Sequence, residues 1–276
     1  MSSQLIKIND SLRADCINCF GLCCVALPYA KSADFAMNKE AGTPCSNLQA
    51  DYRFGIHKNL RNEGFRGCVG YECFGAGQKV SQVTYNGNDW RRNPSLAKEM
   101  FEIFPIMQQL QEMLCYLYEA LSLEEAQPII NELKSSIEET EKLTTLSPQS
   151  ILELNVPAHR AMVNDLLLRT SELVRAKIST KKHIKKRDFI GANLKGADLR
   201  GTNLRGALLI AADLRKADMR VADLIGADLR DADLRGANLT DSLFLTQAQI
   251  NSAKGDYTTK LPATLRRPDH WIEDLD

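Results

Sequence analysis

The sequence predicts a protein of mixed class, with an irregular Cys-rich module, a helical connector and a C-terminal solenoid. Three observations predict this order. Seven of the eight cysteines lie before residue 74, apolar residues recur at helical spacing in the middle of the chain, and a leucine or its equivalent returns every fifth residue from position 189. The expected boundaries are residues 1–90 for the Cys-rich module, 91–184 for the connector and 185–276 for the solenoid.

Length and charge limit the function classes. The chain has 276 residues, enough for two modest domains, and its 35 Lys and Arg balance its 35 Asp and Glu. A zero net charge does not predict a nucleic-acid partner, since such proteins usually carry a basic excess. The first residues lack the pattern of a secretory signal, and no apolar run is long enough to span a membrane. We therefore expect a cytoplasmic protein with reduced thiols and no membrane partner.

The clustered cysteines are the candidate site. In a reducing compartment, Cys-x2-Cys and neighbouring cysteines favour a metal centre. Zinc takes four such ligands, and iron or an iron–sulfur cluster uses the same residue type. Regulatory thiols or a disulfide are the alternative. The candidate ligands are Cys16, Cys19, Cys23, Cys24, Cys45, His57, Cys68 and Cys73.

The spacing of this module is similar to that of a known family. Cys16-x2-Cys19-x3-Cys23-Cys24, then Pro44-Cys45 and Ile56-His57, resembles a small Cys-rich family described as zinc- or iron-chelating proteins. Phe54 stands where that family places a further cysteine. The resemblance implies a metal bound by the remaining cysteines.

The apolar spacing of the connector predicts a small helical bundle or hairpin, with a partner-binding coiled coil as the alternative. Ser122 and Glu125 have the spacing of a capping box, and Ser147 with Pro148 predicts another helix start. A last helix is expected over 159–178, followed by a basic junction at 181–187. Pro105 is expected to kink the first helix or mark its first turn. The first helix should bury a heptad seam formed by Leu96, Met100, Ile103, Met107, Leu110, Leu114, Leu117 and Leu121. The second helix should bury a shorter apolar stripe formed by Ala126, Ile130, Leu133 and Ile137.

A period of five fits neither a strand nor a helix, so the C-terminal repeat predicts stacked units. A large residue stands at each centre, with alanine two positions before it in nine cases, which describes a narrow tube with two inward positions per unit. The twelve centres are Phe189, Leu194, Leu199, Leu204, Leu209, Leu214, Met219, Leu224, Leu229, Leu234, Leu239 and Phe244.

The pattern Ala, Asp or Asn, Leu and two further residues resembles the pentapeptide repeat over 187–246. The resemblance implies a right-handed quadrilateral β-helix of about three coils, closed by a C-terminal cap. Stacking every fourth unit would place Lys195, Arg215 and Arg235 in one column. The same stacking would form an apolar edge from Ile190, Ile210, Ile225, Leu243 and Leu245. This edge would be a docking surface for the helical segment, for another protein or for a second copy in a homodimer.

Some pentapeptide-repeat proteins imitate DNA and protect topoisomerases. The segment from Arg187 to Thr246 contains nine acidic and nine basic residues, so its net charge is zero. Because DNA is densely negative, a neutral segment disfavours that role here. The stretches CFGAGQKVSQVT and LPATLRRPDHW, and the order of the parts, resemble a bacterial group that includes proteins labelled for resistance to the nucleoside antibiotic oxetanocin A. We expect a non-enzymatic binding or protection protein without catalytic residues. The alternative is a metal- or iron–sulfur-dependent redox enzyme or sensor that uses the N-terminal cysteines.

Overall fold

The computed structural model describes residues 11–56, 59–178 and 187–271. The chain consists of two compact units. Unit 1 comprises Met1–Gly67 and Glu72–Leu168, and unit 2 comprises Cys68–Tyr71 and Arg169–Asp276. His57 and residues 181–186 of the basic junction lie outside the described residues. The predicted boundaries at 90 and 184 stay predictions.

Eight α-helices are found in the described ranges, together with one π-helix and two 3-10 helices. The α-helices are α1 Leu22–Ala26, α2 Arg66–Val69, α3 Ala76–Gln78, α4 Pro94–Ser122, α5 Ile130–Leu143, α6 Pro148–Leu152, α7 Val156–Arg175 and α8 Gln247–Ser252. The π-helix is Lys79–Thr84, and the 3-10 helices are Glu124–Ile129 and Asp269–Trp271.

Helix α4 is the centre of unit 1, and α1, α3, α5, α6 and the π-helix all contact it. The heptad prediction is confirmed: six of its eight positions are buried, while Leu96 and Leu121 at the two ends are half-buried. Pro94 begins the helix, and Pro105 lies inside it rather than in its first turn. The seam therefore supplies the apolar face around which unit 1 folds.

The predicted helix starts after α4 are partly right. The capping box at Ser122 is wrong, because Ser122 is the last residue of α4 and its hydroxyl donates to the Glu119 carbonyl at 2.7 Å. The Ser147 cap is confirmed: its Oγ accepts from the Ser150 N–H at 3.3 Å, with Pro148 in the first turn of α6. Helix α7 begins and ends three residues earlier than predicted.

The prediction of a right-handed quadrilateral β-helix of about three coils is wrong, since the described residues contain no β-strand and no sheet. The repeat instead forms a coil of turns, residues 187–246, here named the repeat coil. Each unit contributes one bridging residue, and most of these bridges join residues twenty apart, as in Asp198↔Asp218. A positive φ angle recurs every fifth residue from Gly191 to Asp241. The chain therefore turns before successive residues can pair into a strand.

The core of unit 2 is built from the two inward positions of each repeat. From Leu199 onward the central residues are at most 4% exposed up to Leu239, and the alanines from Ala207 to Ala237 are at most 3% exposed. The second inward position requires alanine, because the leucine side chain of the same unit already fills most of the narrow interior of the coil. Ile250 of α8 and Trp271 join the same cluster. Lys254 and Lys260 bridge to Asp233 and Asn238, so the tail pairs with the last units of the coil.

Candidate functional site

The loop before α1, α1 itself and the segment before α3 carry five cysteines of unit 1. Asp15 turns the chain after Cys16, because its Oδ1 accepts from the Ile17 N–H at 3.1 Å and from the Asn18 N–H at 3.4 Å. Gly21 has a φ of 65° immediately before α1, which carries Cys23. Such short polar and glycine turns bring thiols back toward one another over a few residues.

The thiols of Cys16, Cys19, Cys23 and Cys73 form one electrostatic group, here named the four-thiol cluster. Burial raises the pKa of Cys16 and of Cys73 to about 11 and that of Cys19 to about 12. The Cys24 thiol, followed by burial, raises the pKa of Cys23 well above its ordinary value. Cys23 raises the pKa of each of the other three, and Cys73 raises that of Cys16 and Cys19. Two segments far apart in sequence therefore meet here.

Backbone amides point at these sulfurs. Leu22 and Gly21 donate to the Cys19 sulfur, and Gly77 and Gly75 donate to that of Cys73; both sets oppose the burial effect on the pKa. A Cβ at Gly77 would lie 2.5 Å from the Cys19 Sγ, so this close approach requires glycine. N–H donors around sulfur stabilise a thiolate or a metal-bound sulfur.

A second pair of thiols lies beside a buried ammonium group. Cys24 Sγ is 3.8 Å from Cys23 Sγ, and the buried Cys45 Sγ accepts from the Tyr29 hydroxyl at 3.2 Å. The Lys39 ammonium donates to three carbonyls, the nearest being that of Leu27 at 2.6 Å. Burial lowers the pKa of Lys39, while the thiols of Cys45, Cys24 and Cys23 act in the opposite direction. The sequence analysis missed Lys39, because a single lysine between turns has no spacing signal.

The remaining candidates are not placed in this group. Cys68 lies in α2 and is assigned to unit 2, and His57 lies outside the described residues. Cys115, which the sequence assigns to core packing, lies in α4, where burial raises its pKa to about 12.

The fit of a single zinc ion is poor. Within residues 11–56, 59–178 and 187–271, no three His, Cys, Asp or Glu side chains lie where one metal ion could be held. Tetrahedral zinc needs four ligand atoms about 2.3 Å from one point. An iron–sulfur cluster takes four cysteine ligands distributed over several irons, so its sulfurs need not converge on one ion. The four-thiol cluster has the residue type and the number of ligands that such a group takes.

The surface of the repeat coil is a ladder of charge pairs. Arg215 lies 2.6 Å from Asp213 within its own unit and 3.8 Å from Asp233 twenty residues on. The same arrangement joins Arg200 to Asp198 and Asp218. The Arg215 side chain lowers the pKa of Asp213 to about 2. These pairs neutralise the columns that the sequence placed on the surface.

The predicted apolar edge is only partly present. Ile190 is 54% exposed, and Ile210 and Ile225 are half-buried. Leu208, which was not among the predicted residues, is 40% exposed. Leu243 and Leu245 are buried, at 2% and 7% exposed, which corrects their assignment to a surface. Their side chains serve the core instead.

No helix among the described residues is long and apolar enough to cross a membrane.

Comparisons with known proteins agree with the repeat. The family model for pentapeptide repeats matches residues 188–224 and 202–241, with eight copies. The uncharacterized protein YybG of Bacillus subtilis (strain 168) is 66% identical over 269 residues, which are 96% of this chain and 96% of YybG. A crystallised pentapeptide repeat protein from Nostoc Pcc 7120 is 33% identical over 30% of this chain and 86% of its own, with a TM-score of 0.14, too low for a structural argument. The chain belongs to the pentapeptide-repeat proteins, in one family with YybG.

Proposed function

We propose that this pentapeptide-repeat protein is a cytoplasmic, non-enzymatic binding protein whose unit 1 is organised by a metal centre. The observation that carries the proposal is the mutual electrostatic influence of Cys16, Cys19, Cys23 and Cys73. Four neighbouring thiols, three of them partly buried, are unfavourable to ionise together, and a bound cation offsets that repulsion.

An iron–sulfur cluster is the proposed group, in preference to a single zinc ion. The four thiols would hold it, and the amides of Gly21, Leu22, Gly75 and Gly77 would donate to the sulfurs of Cys19 and Cys73. When bound, the cluster supplies positive charge that stabilises the thiolates. Gly77 leaves room for Cys19. The role of these residues is to bind and to shield the centre.

The repeat coil is proposed to present the binding surface for a protein partner. Its charges are balanced and paired, which supports a protein partner over nucleic acid and disfavours topoisomerase protection. Exposed apolar side chains such as Ile190 and Leu208 are the kind that protein interfaces cover.

The test is metal analysis of protein purified without oxygen. We expect a brown protein with about four irons and four sulfides per chain, as in a four-iron cluster with four cysteine ligands. Cys19→Ser and Cys73→Ser should lose most of the iron. Cys115→Ser, a buried cysteine in α4, is the matched control and should retain it. Iron-free protein with one zinc per chain would contradict the cluster, and protein without any metal would contradict the metal centre.

A redox sensor is the second candidate, favoured by one observation. Cys16 is the exposed member of the four-thiol cluster, so an oxidant in solution could reach the centre. A sensor should change its affinity for a partner when the cluster is oxidised, whereas a structural centre should not. Binding measured on reduced and air-exposed protein separates the two.

The resemblance to oxetanocin A resistance-type proteins supports one biological setting, protection against a nucleoside antibiotic. Expression in a susceptible bacterium should then raise the inhibitory concentration of such an antibiotic. A variant lacking Cys19 and Cys73 should lose that effect if unit 1 is required. Unchanged susceptibility with the wild-type chain would contradict this setting.

A further inference from the structure

Unit 1 contains a cavity that the four-thiol cluster does not use. Its volume is about 640 Å³, within the range of small-molecule sites, and it is partly open to solvent. Its walls come from the loop at Ser11–Asn18, from α3 with the π-helix, from α4 and from the end of α5. All of these segments belong to unit 1.

Gln111 of α4 faces this cavity with its hydrogen-bonding groups unused. The residue is 5% exposed, and its amide has no hydrogen-bond partner among the described residues. Its amide atoms are not among the fully buried atoms without partners, so they are open to the cavity and available to a ligand there. By contrast, Gln78 in the same wall donates to the Arg13 carbonyl and accepts from the Asp15 N–H. Gln111 therefore offers the cavity a hydrogen-bonding group that the protein does not use itself.

Two opposite charges face the same cavity without touching. Lys79 and Glu141 both line it, and Glu141 raises the pKa of Lys79 against the effect of burial. No ion pair joins them among the described contacts. The Tyr118 hydroxyl donates to one oxygen of Glu141. The second oxygen of Glu141 and the Lys79 ammonium have no hydrogen-bond or ion-pair partner among the described residues.

The π-helix contributes the lysine that lines the cavity. It runs over Lys79–Thr84 and contributes Lys79, Gln82 and Val83 to the wall. A π-helix is rare, costs stability relative to an α-helix and occurs frequently at functional sites. Leu12, Val83 and Leu114 add an apolar part to the lining.

We propose that this cavity binds a small zwitterion, an α-amino acid or short peptide with an apolar side chain. The ligand carboxylate pairs with Lys79 and accepts from the Gln111 amide, and the ligand ammonium pairs with Glu141. The apolar side chain lies against Leu12 and Leu114. A molecule with both charges satisfies all three groups, whereas a simple anion or cation leaves one charge unpaired.

Calorimetry on the full chain tests the proposal with L-leucine, L-glutamine and glycyl-L-leucine as probes. N-acetyl-L-leucine, which lacks the ammonium, and L-leucinamide, which lacks the carboxylate, are the matched ligands. We expect at least one zwitterion to bind and to lose about tenfold in affinity when either charge is removed. Absence of binding by all three zwitterions at about 10 mM would overturn the proposal. Binding of N-acetyl-L-leucine or L-leucinamide as tight as that of L-leucine would also overturn it.

Variants assign the roles. Lys79→Met should weaken the best zwitterion about tenfold, whereas Lys98→Met, on the exposed face of α4, should not. Gln111→Leu should weaken binding and leave the melting temperature little changed, because its amide makes no hydrogen bond within the described residues. A purely structural Gln111 would show the opposite, a lower melting temperature with unchanged affinity. Unchanged affinity in both Lys79→Met and Gln111→Leu would overturn the site.

Discussion

At the scale of single residues, the repeat coil depends on a backbone conformation that only glycine adopts without cost. Eleven successive units have a positive φ at the same position, and six of these residues are glycines. The other five are Ala211, Lys216, Val221, Asp231 and Asp241. Val221, at a φ of 58°, is the most strained, because its side chain branches at Cβ.

Val221→Gly should therefore stabilise unit 2. The relief of left-handed strain, about 1–2 kcal/mol or more, should exceed the added entropy of the unfolded glycine, about 0.5–1 kcal/mol. We expect a gain of about 1 kcal/mol in the free energy of unfolding by urea.

The reciprocal change in the next unit is the control. Gly226 has a φ of 64° and open space around its missing Cβ. Gly226→Val therefore adds strain without a clash, and it should destabilise unit 2 by more than 1 kcal/mol. Equal stability of the two variants would contradict the strain argument.

His159 is a second residue whose environment makes a prediction. It is 6% exposed, its Nε2 lies 2.8 Å from the Thr140 Oγ1, and its Nδ1 lies 4.0 Å from a Glu139 oxygen. Burial lowers its pKa below 6.5, although Glu139 acts in the opposite direction. The unfolded chain therefore takes up a proton at a higher pH than the folded chain.

Unit 1 should lose stability as the pH falls below 6.5, and the contribution of His159 should be fully present above that value. His159→Gln keeps a hydrogen-bonding group but cannot titrate. Urea unfolding at pH 7.5 and at pH 5.5 should show a smaller loss in this variant than in the wild type. The same loss in both proteins would assign the pH effect to other groups.

At the scale of elements, the rungs of the charge ladder differ in their exposure. Arg205 and Asp223 form a rung at 3.0 Å in which the side chains are 11% and 0% exposed. The rung of Arg230 and Asp228 has a similar distance, 2.7 Å, but its arginine is 51% exposed. Exposed ion pairs contribute little to stability, whereas breaking a buried pair leaves an uncompensated charge.

Arg205→Met should destabilise unit 2 by about 3 kcal/mol, because Asp223 stays buried without its partner. Arg230→Met should cost less than about 1 kcal/mol. Urea unfolding of both variants, followed at Trp271 of unit 2, gives the comparison. Restoration of stability in the double variant Arg205→Met, Asp223→Leu would support the charge argument over a loss of packing.

The elements also show what the sequence could predict and what it could not. The inward leucines and alanines were predictable because only large and small apolar residues recur at a fixed spacing. The absence of strands could not be predicted, because the five-residue period of the leucines does not say how many residues pair between successive turns. Ser122 has the spacing of a cap, but it is the last residue of α4. The π-helix gives no periodic signal, and Gln111 is one polar residue within an apolar helix.

At the scale of the whole molecule, each unit contains one of the two tryptophans. Trp90 in unit 1 donates to the Phe20 carbonyl at 2.9 Å, and Trp271 in unit 2 donates to the Ala253 carbonyl at 3.0 Å. Both are buried. The chain therefore carries a fluorescent reporter for each unit.

Removal of the proposed metal should unfold the Cys-rich part of unit 1 and leave unit 2 folded, because the four-thiol cluster lies wholly in unit 1. In a Trp271→Phe variant, chelation should shift Trp90 emission to longer wavelength. In a Trp90→Phe variant, Trp271 emission should stay unchanged. Loss of both signals together would show that the units unfold as one.

The spacing of the bridges limits how this protein can change length during evolution. The offset is twenty residues along the repeat coil but becomes 21 at Asp233↔Lys254 and 22 at Asn238↔Lys260. An insertion of five residues upstream of Asp233 would keep the tail on the units it covers but turn both by a quarter of a circuit relative to the first units of the repeat coil. An insertion of twenty would return every residue to the same side. Natural relatives should therefore gain or lose repeats in groups of four.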